Sequence, residues 1–231
     1  MQIAILLFDR FTCLDAIGPY QVLSGLPGAE VSFVAERPGP IRDEVGSLVV
    51  SASAGLPDVP RPDVIVVPGG PGQRDQMQDG PVHEWLRTAD QATTWTTSVC
   101  TGSLILAAAG LLAGRRATTH WLAMDGLGQL GATPVADRVV FDGKYVTAAG
   151  VSSGIDMGLA LAGRDGADMG CTVPTAERSE GTRGSPTAGG CWPARRTPPP
   201  ARGPGRAAPR RRPTWRTTPG CGWSPPAIPT R

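Results

Sequence analysis

The sequence is poor in cysteine and histidine, and none of these residues has a spacing that binds metal. Two histidines and five cysteines occur among the 231 residues, without a CxxC pair. A structural zinc site needs four such ligands close together, so no metal site is predicted. Thiols without a disulfide framework are typical of a reducing compartment, which predicts a cytoplasmic protein. The cysteines are Cys13, Cys100, Cys171, Cys191 and Cys221.

Long apolar runs are missing as well. The N-terminal stretch MQIAILLFDRF has no basic residue before its apolar part and no small-residue cleavage site. It is therefore not expected to be a signal peptide. Every apolar run is far shorter than the roughly 20 residues that cross a bilayer. We expect a soluble protein without a membrane partner.

The C-terminal part lacks the residues from which a hydrophobic core is built. No leucine follows Leu161 and no phenylalanine follows Phe141, whereas residues 171–231 contain 13 prolines and 11 arginines. Such a composition cannot bury enough apolar surface to offset the entropy of ordering the chain. We predict one domain over residues 1–163 and a disordered Pro/Arg-rich tail over residues 164–231.

Charge divides the chain in the same way. Residues 1–170 carry 11 basic and 18 acidic side chains, a net charge of −7, and residues 171–231 carry 11 basic and two acidic ones, a net charge of +9. The acidic part predicts no nucleic-acid partner. Nonspecific binding by the tail is a weaker alternative, and a steep salt dependence confined to the tail would reveal it.

The composition of the tail has a second interpretation. Arginine, proline, glycine, alanine, tryptophan and cysteine dominate it, and a shifted reading frame in GC-rich DNA encodes these residues. We therefore interpret the tail as a frameshift product, a hypothesis that an intact reading frame on resequencing would refute.

Apolar runs of strand length alternate with helical segments in residues 1–163. Gln2–Phe8 and Asp63–Pro68 are continuous apolar runs, as expected of strands buried on both faces. Thr93–Val99 predicts a third strand. Pro81–Gln91 and residues 101–112 have helical periodicity. This alternation predicts an α/β fold, with a mostly parallel sheet and helices on both faces.

Smaller elements complete the predicted fold. A helix is expected over Tyr20–Leu26, after a loop that carries Asp15. Pro38–Ala54 predicts an edge hairpin, and the Asp-Gly pair at 142–143 predicts a two-residue hairpin turn. The last helix is expected over Ser152–Leu161.

Three loops of this arrangement are predicted to form one site. In parallel α/β sheets the site lies beyond the carboxyl ends of the strands. Asp15 follows the first strand, Gly69 and Gly70 follow the second, and Cys100 follows the third. All three loops therefore open on the same edge of the sheet.

Cys100 stands where a nucleophile is held on a sharp turn from strand to helix. Ser98, Thr101 and Gly102 are small enough for a strained turn. The following helix directs its free N–H groups and positive dipole end at the sulfur, which predicts a thiol pKa below the usual ~8.5. Most free cysteines are instead small buried apolar residues, and we keep that interpretation for Cys13.

Residues around this cysteine have candidate roles in the same chemistry. Asp15 either caps a helix or faces Cys100 and moves a proton. The N–H groups of Gly70 and Thr101 are predicted to stabilise developing charge. Gly69 lets the backbone approach a ligand closely and is predicted to line the pocket. A phosphate loop is not expected, because no GK[ST] follows PGGPG.

The two histidines have different predicted places, and they lie too far apart in the sequence for a metal site. His120, in TTHW, is interpreted as part of the pocket wall, with a Cys–His pair as the alternative. His83 lies beside Glu84 on a predicted helix and is expected to face solvent.

Four segments together resemble the DJ-1/PfpI superfamily. The resemblance extends over about residues 1–163, and within the superfamily it is strongest to isonitrile hydratases and to the ligand domains of AraC-type regulators with the same fold. The resemblance implies a flavodoxin-like sandwich, a homodimer, and cofactor-free conversion of a small-molecule isonitrile and water into an N-substituted formamide. It implies Cys100, Asp15 and Thr101 as catalytic residues. The segments are IAILLFDRFTCLDAIGPYQVL, DVIVVPGGPG, SVCTGSLILAAAGLLAGRRATTHW and VTAAGVSSGIDMGLAL.

Sequence differences from other branches of the superfamily favour the isonitrile hydratases. PfpI-type peptidases have histidine directly after the cysteine, where this chain has Thr101, and DJ-1 itself has glutamate where this chain has Asp15. Glutamine amidotransferases need a downstream His-x-Glu, which is absent here.

The alternative is the ligand-sensing part of an AraC-type transcriptional regulator. Such regulators carry two helix-turn-helix units after about residue 165, and the prolines of the tail argue against helices of that length there.

Overall fold

The computed structural model describes residues 1–164 of the protein. The predicted tail, residues 164–231, lies outside this part of the chain except for Arg164, with which the last helix ends. The disorder predicted for the tail and its interpretation as a frameshift product therefore stay predictions.

Eleven strands are present in residues 1–164, several of them only two residues long. They are β1 (Gln2–Leu6), β2 (Glu30–Ala35), β3 (Gly39–Arg42), β4 (Val49–Ala52), β5 (Ala54–Gly55), β6 (Val64–Val67), β7 (Trp95–Val99), β8 (Arg116–Ala117), β9 (Thr133–Pro134), β10 (Val139–Asp142) and β11 (Tyr145–Ala148).

Seven strands form one sheet in the order β10-β11-β7-β6-β1-β2-β5. All neighbouring pairs are parallel except β10 and β11, which form the predicted hairpin. β1 lies inside the sheet, where Ile3 pairs with Val31 of β2 and with Val64 of β6. This mostly parallel order confirms the predicted flavodoxin-like α/β fold.

Helices cover both faces of the sheet. From Ile3 to Leu6 every residue of β1 has 0% exposed surface, which requires cover on both sides of the strand. Helix α1 (Cys13–Leu23) packs against α5 (Ser153–Arg164), while α3 (Gly102–Ala108) packs against α2 (Pro81–Asp90) and α4 (Met124–Gln129). No helix of residues 1–164 is long and apolar enough to cross a membrane.

The first helix begins earlier than predicted. The sequence predicts a loop that carries Asp15 and a helix from Tyr20, but α1 begins at Cys13 and contains Asp15 in its first turn. Pro19 therefore lies inside the helix, where it leaves the Asp15 carbonyl without its helical donor. A proline was expected to mark the helix start, so the prediction of a loop is wrong.

Packing against α5 explains why α1 tolerates this proline. A Cβ on Gly18 would lie 3.0 Å from Cγ1 of Ile155, and a Cβ on Gly154 would lie 3.2 Å from Cδ of Pro19. At these points each helix places a glycine directly against a side chain of the other, Ile155 or Pro19, which lets the two helices approach closely. An interior proline costs roughly 3 kcal/mol in an isolated helix, and this close packing offsets that cost.

The hairpin predicted over Pro38–Ala54 is present, but its two strands form a separate small sheet and not an edge of the seven-stranded one. β3 and β4 pair antiparallel, and Asp43 in their connection closes the turn by accepting hydrogen bonds from the Gly46 and Leu48 N–H groups. The N–H of Glu44 donates to the Phe11 carbonyl at 2.9 Å. This bond holds the hairpin tip beside the start of α1.

His83 is placed differently from the prediction of a solvent-facing histidine. It is 1% exposed, and its Nε2 lies 2.8 Å from the Gln76 carbonyl, to which it donates. The adjacent 3₁₀ turn, Pro71–Gln76, covers this face of α2. The sequence showed a polar residue on an amphipathic helix but not the turn that covers it.

Candidate active site

The carboxyl ends of four neighbouring strands meet at one edge of the sheet. Asp15 lies beyond β1, Gly69 and Gly70 beyond β6, and Cys100 beyond β7, as the order β11-β7-β6-β1 requires. The turn after β11 adds Val151. A cavity of about 620 Å³ opens at this edge, and Cys100, Thr101, Gly70 and Val151 are among the residues that line it. Gly69, which the sequence predicts as a pocket residue, is not among them, because the Cys100–Thr101 turn packs directly against it.

Cys100 occupies a strained backbone conformation, as predicted for a nucleophile on a sharp turn. Its φ is +57°, a value that residues other than glycine rarely adopt. The Cys100 N–H donates to the Ala148 carbonyl at 3.0 Å, and the Cys100 carbonyl accepts hydrogen bonds from the hydroxyls of Ser103 and Thr119. These bonds on both sides of the residue hold the strained turn in place.

Two glycines make room for this turn. A Cβ on Gly102 would lie 2.1 Å from the Val67 carbonyl oxygen, and a Cβ on Gly69 would lie 2.5 Å from the Thr101 nitrogen. Neither position accepts a side chain without a backbone shift, because both contacts are with main-chain atoms. The glycine two residues after the cysteine is thus a steric requirement of the turn.

Asp15 is fully buried beside the cysteine. Its Oδ2 accepts a hydrogen bond from the Gly69 N–H at 3.0 Å, whereas its Oδ1 has no hydrogen-bond partner within residues 1–164. Burial raises the pKa of Asp15 to about 7; hydrogen bonds from Gly69 and Cys100 oppose this shift, and the charge of Glu44 adds to it. The carboxyl group can therefore exchange a proton near neutral pH.

The cysteine itself does not have the lowered pKa that the sequence predicts. Burial and then the charge of Asp15 raise the pKa of Cys100 to about 12, although the N–H groups of Thr101 and Val151 act in the opposite direction. The prediction weighed only the helix end, and burial together with a neighbouring carboxylate outweighs it. This raised pKa favours the thiol form of Cys100, beside the carboxyl group of Asp15.

Thr101 and Gly70 are bonded to one another. The Gly70 N–H donates to Oγ1 of Thr101 at 3.0 Å. The sequence predicts Gly70 and Thr101 as the pair of donors to developing charge. In the structure the Gly70 N–H is engaged with Thr101, and the N–H groups that act on the Cys100 sulfur are those of Thr101 and Val151.

Val151 is a residue that sequence reasoning missed. It follows β11, the neighbour of the cysteine strand, and has a φ of +33°. A β-branched residue seldom takes a positive φ, and nothing in the sequence AAGVSSG marks one. The available signal was the strand Tyr145–Thr147, since its carboxyl end had to open on the same edge as Cys100.

His120 lines the cavity, in agreement with the role of pocket wall. Its ring lies 5.7 Å from that of Trp121, and its Nδ1 accepts a long hydrogen bond of 3.4 Å from the Leu122 N–H. No hydrogen bond joins it to Cys100 in the part of the chain that the structure describes. Residues 1–164 also contain no group of three His, Cys, Asp or Glu side chains that could hold a metal ion.

Three polar residues of the cavity wall also escaped the sequence analysis. Glu44 comes from the β3–β4 hairpin and accepts a hydrogen bond from the Thr12 hydroxyl at 3.1 Å. Gln73 and Arg74 come from the 3₁₀ turn after Gly70. Glu44 reaches the site through the contact of the hairpin with Phe11, which local sequence patterns do not encode.

This combination of fold and site agrees with the comparison to known families. The model of the DJ-1/PfpI family matches residues 1–164. The chain belongs to the DJ-1/PfpI family. The resemblance noted in four sequence segments is thereby confirmed over the whole described part of the chain.

Individual family members differ in what they do. An isonitrile hydratase of Pseudomonas putida is 46% identical over 162 residues, which cover 70% of this chain and 71% of that protein. The HTH-type transcriptional regulator CdhR of Pseudomonas aeruginosa is 42% identical over 82 residues, which cover 34% of this chain and 24% of the regulator. A solved ThiJ/PfpI family protein from Pseudomonas syringae superposes with a TM-score of 0.68 at 36% identity, covering 71% of this chain and 68% of that one.

Proposed function

We propose that this DJ-1/PfpI protein is an enzyme that hydrates isonitriles to N-substituted formamides. The observation that carries the proposal is the pair of Cys100, which lines the cavity, and the buried Asp15 beside it, a carboxyl group with a pKa of about 7. The similarity to an isonitrile hydratase supports the choice of substrate. The substrate is a small molecule, and the steps below use only water and residues of this chain.

The terminal carbon of an isonitrile takes up both a nucleophile and a proton. In the first step the Cys100 sulfur forms a bond to this carbon while its proton passes to Asp15. Asp15 then delivers the proton to the same carbon, and the C≡N bond becomes a C=N bond. The product is a thioimidate, R–N=CH–S–Cys100. Because both groups must reach one carbon, their direct adjacency suits this chemistry.

In the second step water adds to the thioimidate carbon. Asp15 takes one proton from the water, the substrate nitrogen gains the other, and the C–S bond breaks. The proton on Asp15 returns to the Cys100 sulfur, and R–NH–CHO leaves. The sum is one isonitrile and one water consumed for one formamide formed, with the enzyme restored.

Backbone donors assist the sulfur in both steps. The N–H groups of Thr101 and Val151 favour negative charge on Cys100, so they stabilise the sulfur as its proton leaves and as the C–S bond breaks. The Thr101 hydroxyl accepts a bond from the Gly70 N–H at 3.0 Å and donates a long one of 3.5 Å to the Gly70 carbonyl. Turning this weakly held proton toward the water would position the water. Gly70 thereby acts through Thr101.

Formamide production from cyclohexyl isonitrile tests the proposal. We expect turnover by the wild type, its loss in Cys100→Ala, and a strong reduction in Asp15→Asn. Cys13→Ala is the matched control, because Cys13 is half-buried on α1 and does not line the cavity. Folded wild-type protein without turnover, or an active Cys100→Ala variant, would contradict the proposal.

A second candidate is a ligand-sensing domain that binds a small molecule without converting it. The similarity to the regulator CdhR favours it, although this chain spans only about a quarter of that protein. Saturable binding of an isonitrile or formamide by folded wild-type protein, without any turnover, would support this candidate over the enzyme.

We also propose that the protein is a homodimer, as the family resemblance implies. Light scattering on the purified full chain measures the mass in solution directly. A monomer across the working concentration range would refute this part of the proposal.

A further inference from the structure

Two polar side chains in the cavity wall have no part in the proposed mechanism. Gln73 and Arg74 lie in the 3₁₀ turn after Gly70 and line the same cavity as Cys100. Gln73 is only 6% exposed, yet its side-chain amide bonds to no residue of the described range 1–164. Its amide atoms are not among the fully buried unpaired atoms of this range, so they remain accessible. A side chain so placed has both donors and an acceptor available to a ligand in the cavity.

The positive charge of Arg74 is also available to a ligand in the cavity. Within residues 1–164 its guanidinium group makes no ion pair, and the adjacent Asp75 is already bonded to Arg10 at 2.7 Å. Arg74 lies in the last turn of the 3₁₀ helix Pro71–Gln76 and is exposed, whereas Asp15 is fully buried. The guanidinium group therefore belongs to the solvent-facing part of the cavity wall.

We propose that Gln73 and Arg74 bind an anionic oxygen group at the non-reacting end of the substrate. This inference rests on the proposed function and names the substrate class: isonitriles that carry a carboxylate or a phosphate-like group. Arginine offers a planar set of donors that matches such oxygens, and the glutamine amide adds a further donor. A cavity of about 620 Å³ lies in the size range of small-molecule sites.

Matched substrates test this class. Isocyanoacetate carries the carboxylate, isocyanoacetamide is its neutral counterpart, and isocyanomethylphosphonate represents the phosphate-like group. In Arg74→Gln we expect KM for the carboxylate to rise about tenfold with little change in kcat, since one charged hydrogen bond is lost. The neutral amide should be turned over as by the wild type. Gln73→Leu should show the same selective effect, and Arg74→Lys should partly restore binding of the anion.

Arg61→Gln is the control for the change of charge, because Arg61 is exposed and does not line this cavity. It should leave KM for isocyanoacetate unchanged. An equal KM for isocyanoacetate and isocyanoacetamide in the wild type, or an equal loss of both in Arg74→Gln, would overturn the inference.

Binding of the reaction product separates this inference from the proposed function. Calorimetry with N-formylglycine and N-formylglycinamide needs no turnover. The subsite is supported if the wild type binds N-formylglycine more tightly than N-formylglycinamide and Arg74→Gln loses this preference. That result stands even if no isonitrile is hydrated and the proposed function fails. An affinity for N-formylglycine that is the same in the wild type and in Arg74→Gln refutes the subsite, even if isonitriles are hydrated. The corresponding phosphonate product, compared in the same way, distinguishes a carboxylate site from a phosphate site.

Discussion

Replacing Asp15 with asparagine should stabilise the protein while it strongly reduces turnover. The carboxyl group is fully buried, and its pKa is raised from an ordinary 3.8 to about 7. The folded state therefore holds this proton more tightly than the unfolded chain does. Stability falls as the pH rises from about 4 to about 7, and the full loss is present above that range.

The size of the effect follows from the two pKa values. Between pH 5 and pH 8 the wild type loses about 2–3 kcal/mol of unfolding free energy through this one group. The asparagine side chain of the variant does not titrate, and its oxygen can still accept the bond from the Gly69 N–H. The difference in melting temperature between Asp15→Asn and the wild type should therefore widen by about 5–10 °C from pH 5 to pH 8.

Thermal unfolding of both proteins, followed by circular dichroism at several pH values, measures this difference. The melting temperature of the variant should exceed that of the wild type by an amount that grows with pH. A difference in melting temperature that stays constant with pH, or one that shrinks from pH 5 to pH 8, would refute the assignment of a raised pKa to Asp15.

Two other substitutions test separate parts of the site. Glu44→Gln removes a charge that raises the pKa of Asp15, so the rise of kcat/KM with pH should move to lower pH; an unshifted profile would argue against that coupling. Gly102→Ala places a Cβ 2.1 Å from the Val67 carbonyl oxygen, which should lower unfolding free energy by about 1–3 kcal/mol and abolish turnover. Wild-type melting and activity in that variant would contradict the steric account.

The parts of the fold that sequence reasoning predicted are those with strong local signals. β1 and β6 are short apolar runs buried on both faces, and few other structures suit such runs. The turn at Cys100 was also predictable, because a strand pattern changes to a helix pattern across small residues. The carboxyl-edge rule then brought Asp15, Gly70 and Cys100 together without knowledge of any long-range contact.

The parts that were missed depend on contacts between distant segments. Pro19 is a helix-start signal by local rules, and only the packing of α1 against α5 explains its interior position. Glu44 enters the site through the bond between its N–H and the Phe11 carbonyl. The pKa of Cys100 depends on burial and on the charge of Asp15. Local sequence patterns contain none of these quantities.

The central claim is that Cys100 carries the reacting carbon during turnover. Mass spectrometry of digested protein, quenched with acid during turnover of cyclohexyl isonitrile, tests this most directly. The account predicts a mass increase of one isonitrile on the peptide that contains Cys100, present while formamide accumulates and absent once substrate is exhausted. Formamide that accumulates while the adduct lies on Cys13, or on no cysteine at all, would contradict it.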